Sequence, residues 1–428
     1  MFNTKEGLSA TLFKKKVSIE SLNTGIPIIG MLLLLHPLIW APSHGLALRL
    51  ASFLFFGLTS LLIISRRKLL LPDYSLKYLA LFLIAAFISA VFSQYPGEAW
   101  LGHPGYVTGF YAYICFSAIF ILAFNVAINY PSELKKILRY WIYITSGIAF
   151  LGLLQYFGVN LLPYNHLEVF QVNNSYSTIG NTNDLGTYLL MAFPFAAYYF
   201  LKKPDLKNTI IISLIYGSFL TTLCRSAWIG LGVGFLILFF YYPKKNNILA
   251  LMLVLIVVTA VLLPMHNWKL LNQVVSISDE TEQTIAGEPE AGSTRMLLWQ
   301  EGFNALPNSL LIGSGPDTFY YVAEEKFEER WWPGARPASK AHNIFLEIAV
   351  TMGIPAMIFY ILFLFSIMVK TDLSNPLQFA FFLMVVTYMV RGLFLVDVIS
   401  VYPLFWALLG FYQGIKRVPQ ISLDNGAQ

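Results

Sequence analysis

The feature that most constrains this chain is a succession of apolar runs, each close to the length a helix needs to cross a bilayer. A hydrocarbon core takes roughly 20 apolar residues per helix. Twelve such runs are legible, at about 25–40, 45–64, 76–93, 106–127, 137–157, 185–201, 208–223, 226–242, 248–264, 343–369, 376–396 and 400–415. A soluble core does not need this much apolar surface, and 57% apolar against 12% charged residues points the same way. The expected fold is an all-α polytopic membrane protein of about twelve transmembrane helices. Residues 1–264 would carry helices one to nine, 265–342 a long loop with two short amphipathic helices, and 343–428 helices ten to twelve with a tail.

Charge sets the expected orientation. Nineteen of the 28 Lys and Arg fall in alternate connections, beginning with the N-terminal tail and ending at Lys416 and Arg417. By the positive-inside rule those connections and both termini are cytoplasmic, and the even span count puts the loop outside. Lys14, Lys15 and Lys16 precede a first span that lacks a small-residue cleavage pattern, so no cleavable signal is expected. Cys115 and Cys224 fall in or beside spans and make neither a disulfide framework nor a zinc set. The basic excess is used in orienting the helices, and no nucleic-acid partner is expected.

The loop holds eleven acidic residues against six basic ones, so it does not attract anions as a whole. An anion site there has to come from particular arginines in a protected place. Arg225 interrupts two spans with almost no connection, and a charge at that depth costs a few kcal/mol unless it is paired or reaches water. Snorkelling to headgroups is its alternative role. Arg295 opens a helix-like stripe at 294–306 that includes Trp299, a position where the helix dipole disfavours a cation. Ser339 is a reasonable N-cap, which would put His342 in the first turn of the tenth span and hold its imidazole neutral. Residues 274–291 read as poorly patterned, Asp317 as the cap of a helix at 318–329, and Trp331 and Trp332 as an interfacial anchor. Asn181, Asn183 and Asp184 sit where a helix begins; they either cap it or line a pocket for sugar hydroxyls. Arg391 and Asp397 read first as a pair. His36 reads as a hydrogen-bonded helix histidine.

Five segments in order, GNTNDLGTYLLMAFP, TTLCRSAWIGL, TRMLLWQEGF, LIGSGPDTF and KAHNIFLEIAVTMGIP, resemble the O-antigen ligase and polymerase family of bacterial envelope glycosyltransferases. The resemblance covers roughly residues 180–355. It implies a GT-C-like bundle in the bacterial inner membrane with its active site on the outer face. It also implies metal-independent, cofactor-free transfer of a glycan from undecaprenyl pyrophosphate to lipid A core or another glycan acceptor. Arg225 and Arg295 would hold the pyrophosphate and His342 would be the base. Tyr106 stands where relatives often place an arginine, a departure from the pattern. With Asn181, Asn183, Asp184, Trp299, Asn343 and Arg391 it completes the candidate substrate-binding set.

The residue types suit that chemistry on their own. A glycosyl pyrophosphate carries an activated leaving group, so what remains is to neutralise charge growing on phosphate oxygens, which arginine does with paired hydrogen bonds. The acceptor hydroxyl needs a base poised near neutrality, usually histidine. No Asp-x-Asp pair of the kind that holds a metal and a nucleotide sugar occurs. A polymerase differs from a ligase only in the acceptor. A transporter of lipid-linked glycans or of anions is the reading from another class, though the chain shows no internal repeat of the kind transporters carry.

Overall fold

The computed structural model describes residues 24–39, 45–66, 69–162, 173–241, 245–285, 295–323 and 339–418. Among these there is no strand. Helices occupy every apolar run: α1 Gly25–Leu35, α2 Gly45–Arg66, α3 Asp73–Val91, a short α4 Pro96–Leu101, α5 Phe110–Asn129, α6 Pro131–Tyr156, α7 Thr182–Lys202, α8 Leu206–Thr221, α9 Arg225–Tyr241 and α10 Lys245–Leu262. Then follow α11 Met265–Ile285, α12 Arg295–Ser309, α13 Ile344–Met352, α14 Ile354–Met368, α15 Pro376–Gly392 and α16 Tyr402–Ile415.

Among the described residues four helices are long and apolar enough to cross a membrane, Ala47–Arg66, Tyr74–Val91, Phe110–Asn129 and Pro131–Tyr156, and the bent pair Asn247–Leu262 and Met265–Ser276 makes a fifth if it is one span. Others are shorter; α8 has 16 residues, about 24 Å at 1.5 Å per residue. Helices α5 and α16 form the centre of the bundle, and both are buried along most of their length. Their close approach depends on two glycines one turn apart. A Cβ on Gly410 would lie 2.3 Å from the Phe120 carbonyl oxygen, and one on Gly414 would lie 2.5 Å from Ala127 Cβ. Without a hydrophobic drive between helices in lipid, small residues at such a crossing supply the contact.

Three expectations change. The run at 343–369 is two helices, α13 and α14, separated at Gly353, rather than one. Residues 274–285 are helical, as part of α11, rather than irregular. That helix turns away from α10 by 115°, through left-handed backbone at His266, Asn267 and Trp268. The proposed helix at 318–329 is helical over 319–323, and its remainder lies outside the described residues, as do Trp331 and Trp332.

The loop is docked on the bundle. Helix α12 packs on α13, with Leu346 against Gly302, and Ala305, Phe319, Ala323, Ala341 and Val350 bury a small second core. Behind it, residues 310–315 run along the break between α13 and α14. Gly315 N donates to Thr351 O (2.7 Å), and Ile354 N donates to Leu310 O (2.9 Å). Gly313 sits there at φ 75°, and a Cβ on it would lie 2.4 Å from the backbone of Thr351 and Met352. Gly313→Ala is therefore expected to cost about 2–5 kcal/mol, from left-handed strain and overpacking together. Thermal unfolding of the detergent-solubilised protein reads this, with Gly232→Ala, where a Cβ meets nothing within 4 Å, as the silent comparison.

Candidate active site

Three chain segments meet around a buried charge cluster. Lys340, 3% exposed, pairs with Asp317 and, at 3.2 Å, with Glu347, and its Nζ also donates to Thr108 Oγ1 (3.0 Å). Asp317 Oδ2 accepts from the backbone amides of His103 and Thr108, each at 2.8 Å. Glu347 Oε2 accepts from Ala341 N at 2.7 Å. The connection between α4 and α5, the 313–318 turn and the return of the long loop are thereby tied to the head of α13. Burial alone would push the Lys340 ammonium down, but the two carboxylates hold it well above its ordinary range. The stacked rings of Tyr95 and Tyr321 and the Tyr321 hydroxyl on Glu98 Oε1 (2.6 Å) join the α3–α5 connection to the long loop a second time.

His342 sits two residues past this cluster, between two backbone clamps. Ala341 N is held by Glu347, and Asn343 caps α13 by accepting from Phe345 N (3.0 Å) and Leu346 N (3.1 Å). The cap is thus Asn343 and not Ser339, and His342 precedes the helix instead of lying in its first turn. Its backbone is left-handed at φ 49°. Such a conformation costs a β-carbon residue of order 1–3 kcal/mol and gathers at functional sites. Nδ1 is buried with no hydrogen-bond partner among the described residues. Burial, and after it the charges of Arg295, Arg391 and Lys340, lower the imidazole to about 4. The neutral state expected from the sequence holds, for a different reason: desolvation and nearby cations rather than a helix dipole.

The imidazole lines a cavity of about 510 Å³ shared with Tyr106, Asn181, Asn183, Asp184 and Arg49. Asn181 is the N-cap of α7, its side chain accepting from Asn183 N (2.8 Å) and Asp184 N (3.3 Å). The capping role is what the structure shows, and Asn181, Asn183 and Asp184 also form part of the cavity wall. Arg49, fully buried on α2, is the cation that sequence reasoning missed. Its Nη2 donates to Ile39 O and Thr178 O, each at 2.8 Å, while Nε and Nη1 have no partner among the described residues. The signal was present: an arginine inside an apolar run.

Arg225, Arg295, Trp299, Asn343 and Arg391 do not line this cavity among the described residues. Arg225 opens α9 and donates from Nη1 to Ser276 Oγ of α11 at 3.3 Å. Arg295 opens α12, near enough for its charge to act on His342. Trp299 packs beside Phe394, ring centroids 6.0 Å apart. Arg391 is fully buried and committed: Nε to Thr187 Oγ1 (2.8 Å), Nη1 to Asp397 Oδ1 (3.2 Å), Nη2 to Val396 O (2.8 Å). Asp317 is no helix cap; its carboxylate faces His103 and Thr108. His36 makes the two hydrogen bonds expected of a structural histidine, with Ser52 Oγ and Ile399 O, each 3.0 Å. No group of three or more metal-ligating side chains occurs among the described residues.

Residues 210–361 match the family model described as O-antigen ligase. Over that stretch the chain is similar to the O-antigen ligase family. The matched segment is about a third of the chain and holds Arg225, Arg295, Lys340 and His342, while Arg49, Tyr106 and the 181–184 wall lie before it. A comparison with curated proteins gave no match.

Two outcomes follow from this geometry. Lys340→Met leaves two buried carboxylates without their cation and is expected to destabilise the protein by about 3–5 kcal/mol, read by thermal unfolding. For His342 the native imidazole protonates near pH 4 and the unfolded one near 6.5. Between those values the unfolded state binds more protons, so His342 makes stability fall as pH drops through that window. His342→Asn, which tolerates left-handed backbone, should flatten that part of the stability profile.

Proposed function

We propose that this protein is a membrane glycosyltransferase of the O-antigen ligase type, acting on a glycan linked to undecaprenyl pyrophosphate. The observation that supports the reading is the cavity lined together by a partly buried His342, held neutral by desolvation, by Arg49 and by the 181–184 segment. A proton acceptor, a cation and sugar-binding amides in one enclosure are the three things the transfer needs.

In the proposed step His342 takes the proton from an acceptor hydroxyl. The acceptor oxygen bonds to the anomeric carbon as the carbon–oxygen bond to pyrophosphate breaks, and the electron pair leaves on the phosphate oxygen. Inversion at the anomeric centre is the outcome of such a single displacement. Arg49 and Arg295 stabilise the leaving diphosphate, and Arg225 contributes from the head of α9. Asn181 and Asn183 bind sugar hydroxyls beside Tyr106, with Trp299, Asn343 and Arg391 holding the walls. The site opens to the outer face of a bacterial inner membrane, with both termini cytoplasmic, and lipid A core is the favoured acceptor over a second lipid-linked repeat.

His342→Asn is expected to lower glycan transfer roughly 10²–10⁴-fold, and Arg49→Lys and Arg295→Lys about 10²-fold or more. The readout is transfer from a polyprenyl-pyrophosphate glycan by purified variants whose unfolding midpoints match the parent. Because His342 stays neutral to about pH 4, kcat/KM should keep its value below pH 6 and fall only near 4. An acidic limb near 6.5, or full activity in all the variants, overturns the mechanism. Electrophoresis of surface glycan from a deletion strain separates the acceptors: loss of all attached polymer marks a ligase, single-repeat caps a polymerase.

A further inference from the structure

A second cavity of about 500 Å³ lies at the far end of α16 from His342. It is lined by Tyr74 and Tyr78 of α3, by Leu362, Phe365, Ser366, Val369 and Lys370 at the end of α14, and by Gln413, Lys416 and Arg417. Three cations converge there, and no carboxylate lines it among the described residues. Asp372, two residues past Lys370, turns its Oδ1 to Ser374 N and Oγ. Lys416 donates to the carbonyls of Ile367 and Val369, which fixes its ammonium at the end of α14. Burial pushes it down to about 8, with Arg417 and Lys370 adding to the fall.

Two further observations narrow the ligand. Gln413 is buried, and its Oε1 has no hydrogen-bond partner among the described residues, so the cavity offers an acceptor besides its cations. Its outer wall is apolar and open: Tyr74, Phe365 and Val369 are each more than half exposed on the bundle surface. A soluble anion satisfies only the cations. A glycerophospholipid with an anionic phosphate and a free headgroup hydroxyl satisfies the cations, the Gln413 acceptor and the apolar wall together.

We infer that this cavity is a binding site for an anionic glycerophospholipid, its phosphate between Lys370, Lys416 and Arg417 and its headgroup hydroxyl on Gln413. Juxtamembrane basic clusters attract anionic lipids in proportion to their charge. The lipid holds the ends of α14 and α16 together. The site is separate from the glycosyltransferase reading and stands or falls without it.

The test is thermal unfolding and native mass spectrometry of the full chain in detergent, titrated with phosphatidylglycerol, phosphatidylcholine or glycerol phosphate. Phosphatidylglycerol is expected to raise the midpoint and to be retained, whereas the other two do neither. Lys370→Gln, which removes a cation that holds no carbonyl, should weaken phosphatidylglycerol about fivefold. Lys202→Gln, an exposed lysine at the end of α7, should leave it unchanged. Equal effects of phosphatidylcholine, or a Lys370→Gln titration matching the parent, overturn the site. An equal effect of glycerol phosphate overturns the lipid in favour of a soluble phosphate.

Discussion

The arrangement of the face that carries the cavity depends on one buried lysine held between two carboxylates. Lys340, Asp317 and Glu347 come from three places in the sequence, and each is almost wholly removed from water. Buried ion pairs add little net stability, because desolvation offsets most of the attraction, but breaking one leaves an uncompensated charge. The cluster therefore acts as a condition on geometry. The turn at 313–318, the connection before α5 and the return of the long loop cannot separate without exposing a charge in a dry place. Asp317 extends the condition to the amides of His103 and Thr108.

From that fixed point the cavity follows by short steps. Two residues after Lys340 the chain must enter α13, and Asn343 takes the cap, which leaves His342 in a left-handed turn against the cavity. The opposite wall comes from the first turn of α7, where Asn181 performs the same capping task. Two parts of the cavity wall are thus helix entrances, each set by an asparagine, and the 103–106 and 395–400 segments complete it. Burial, and after it the charges of Arg295, Arg391 and Lys340, keep the histidine neutral, and Arg49 shares the cavity with Asp184.

Much of the fold could be read from hydropathy because apolar runs of helix-crossing length have few other uses. The break at Gly353 was hidden by the same signal. Residues on both sides are apolar, and the Gly-Ile-Pro sequence that stops one helix and starts the next sits inside a run that does not change character. Asp317 misled for a different reason. An N-cap needs extended backbone, and Asp317 is left-handed at φ 65°, so its carboxylate turns to another segment. Lys340 looked like any loop lysine, since pairing over such separations leaves no local pattern. His342 and the 181–184 wall were legible because their types and neighbours are unusual for their places. Arg49 stood in plain view, but an average over twenty residues dilutes one arginine.

Arg49 is anchored before any ligand arrives. Two carbonyls from distant parts of the chain hold its Nη2, so the guanidinium cannot swing aside as a lysine on the surface would. A rigid cation of this kind does not distinguish a diphosphate that is leaving from one that has left. In the glycosyltransferase reading, the same fixed grip that helps the diphosphate leave goes on holding it afterwards.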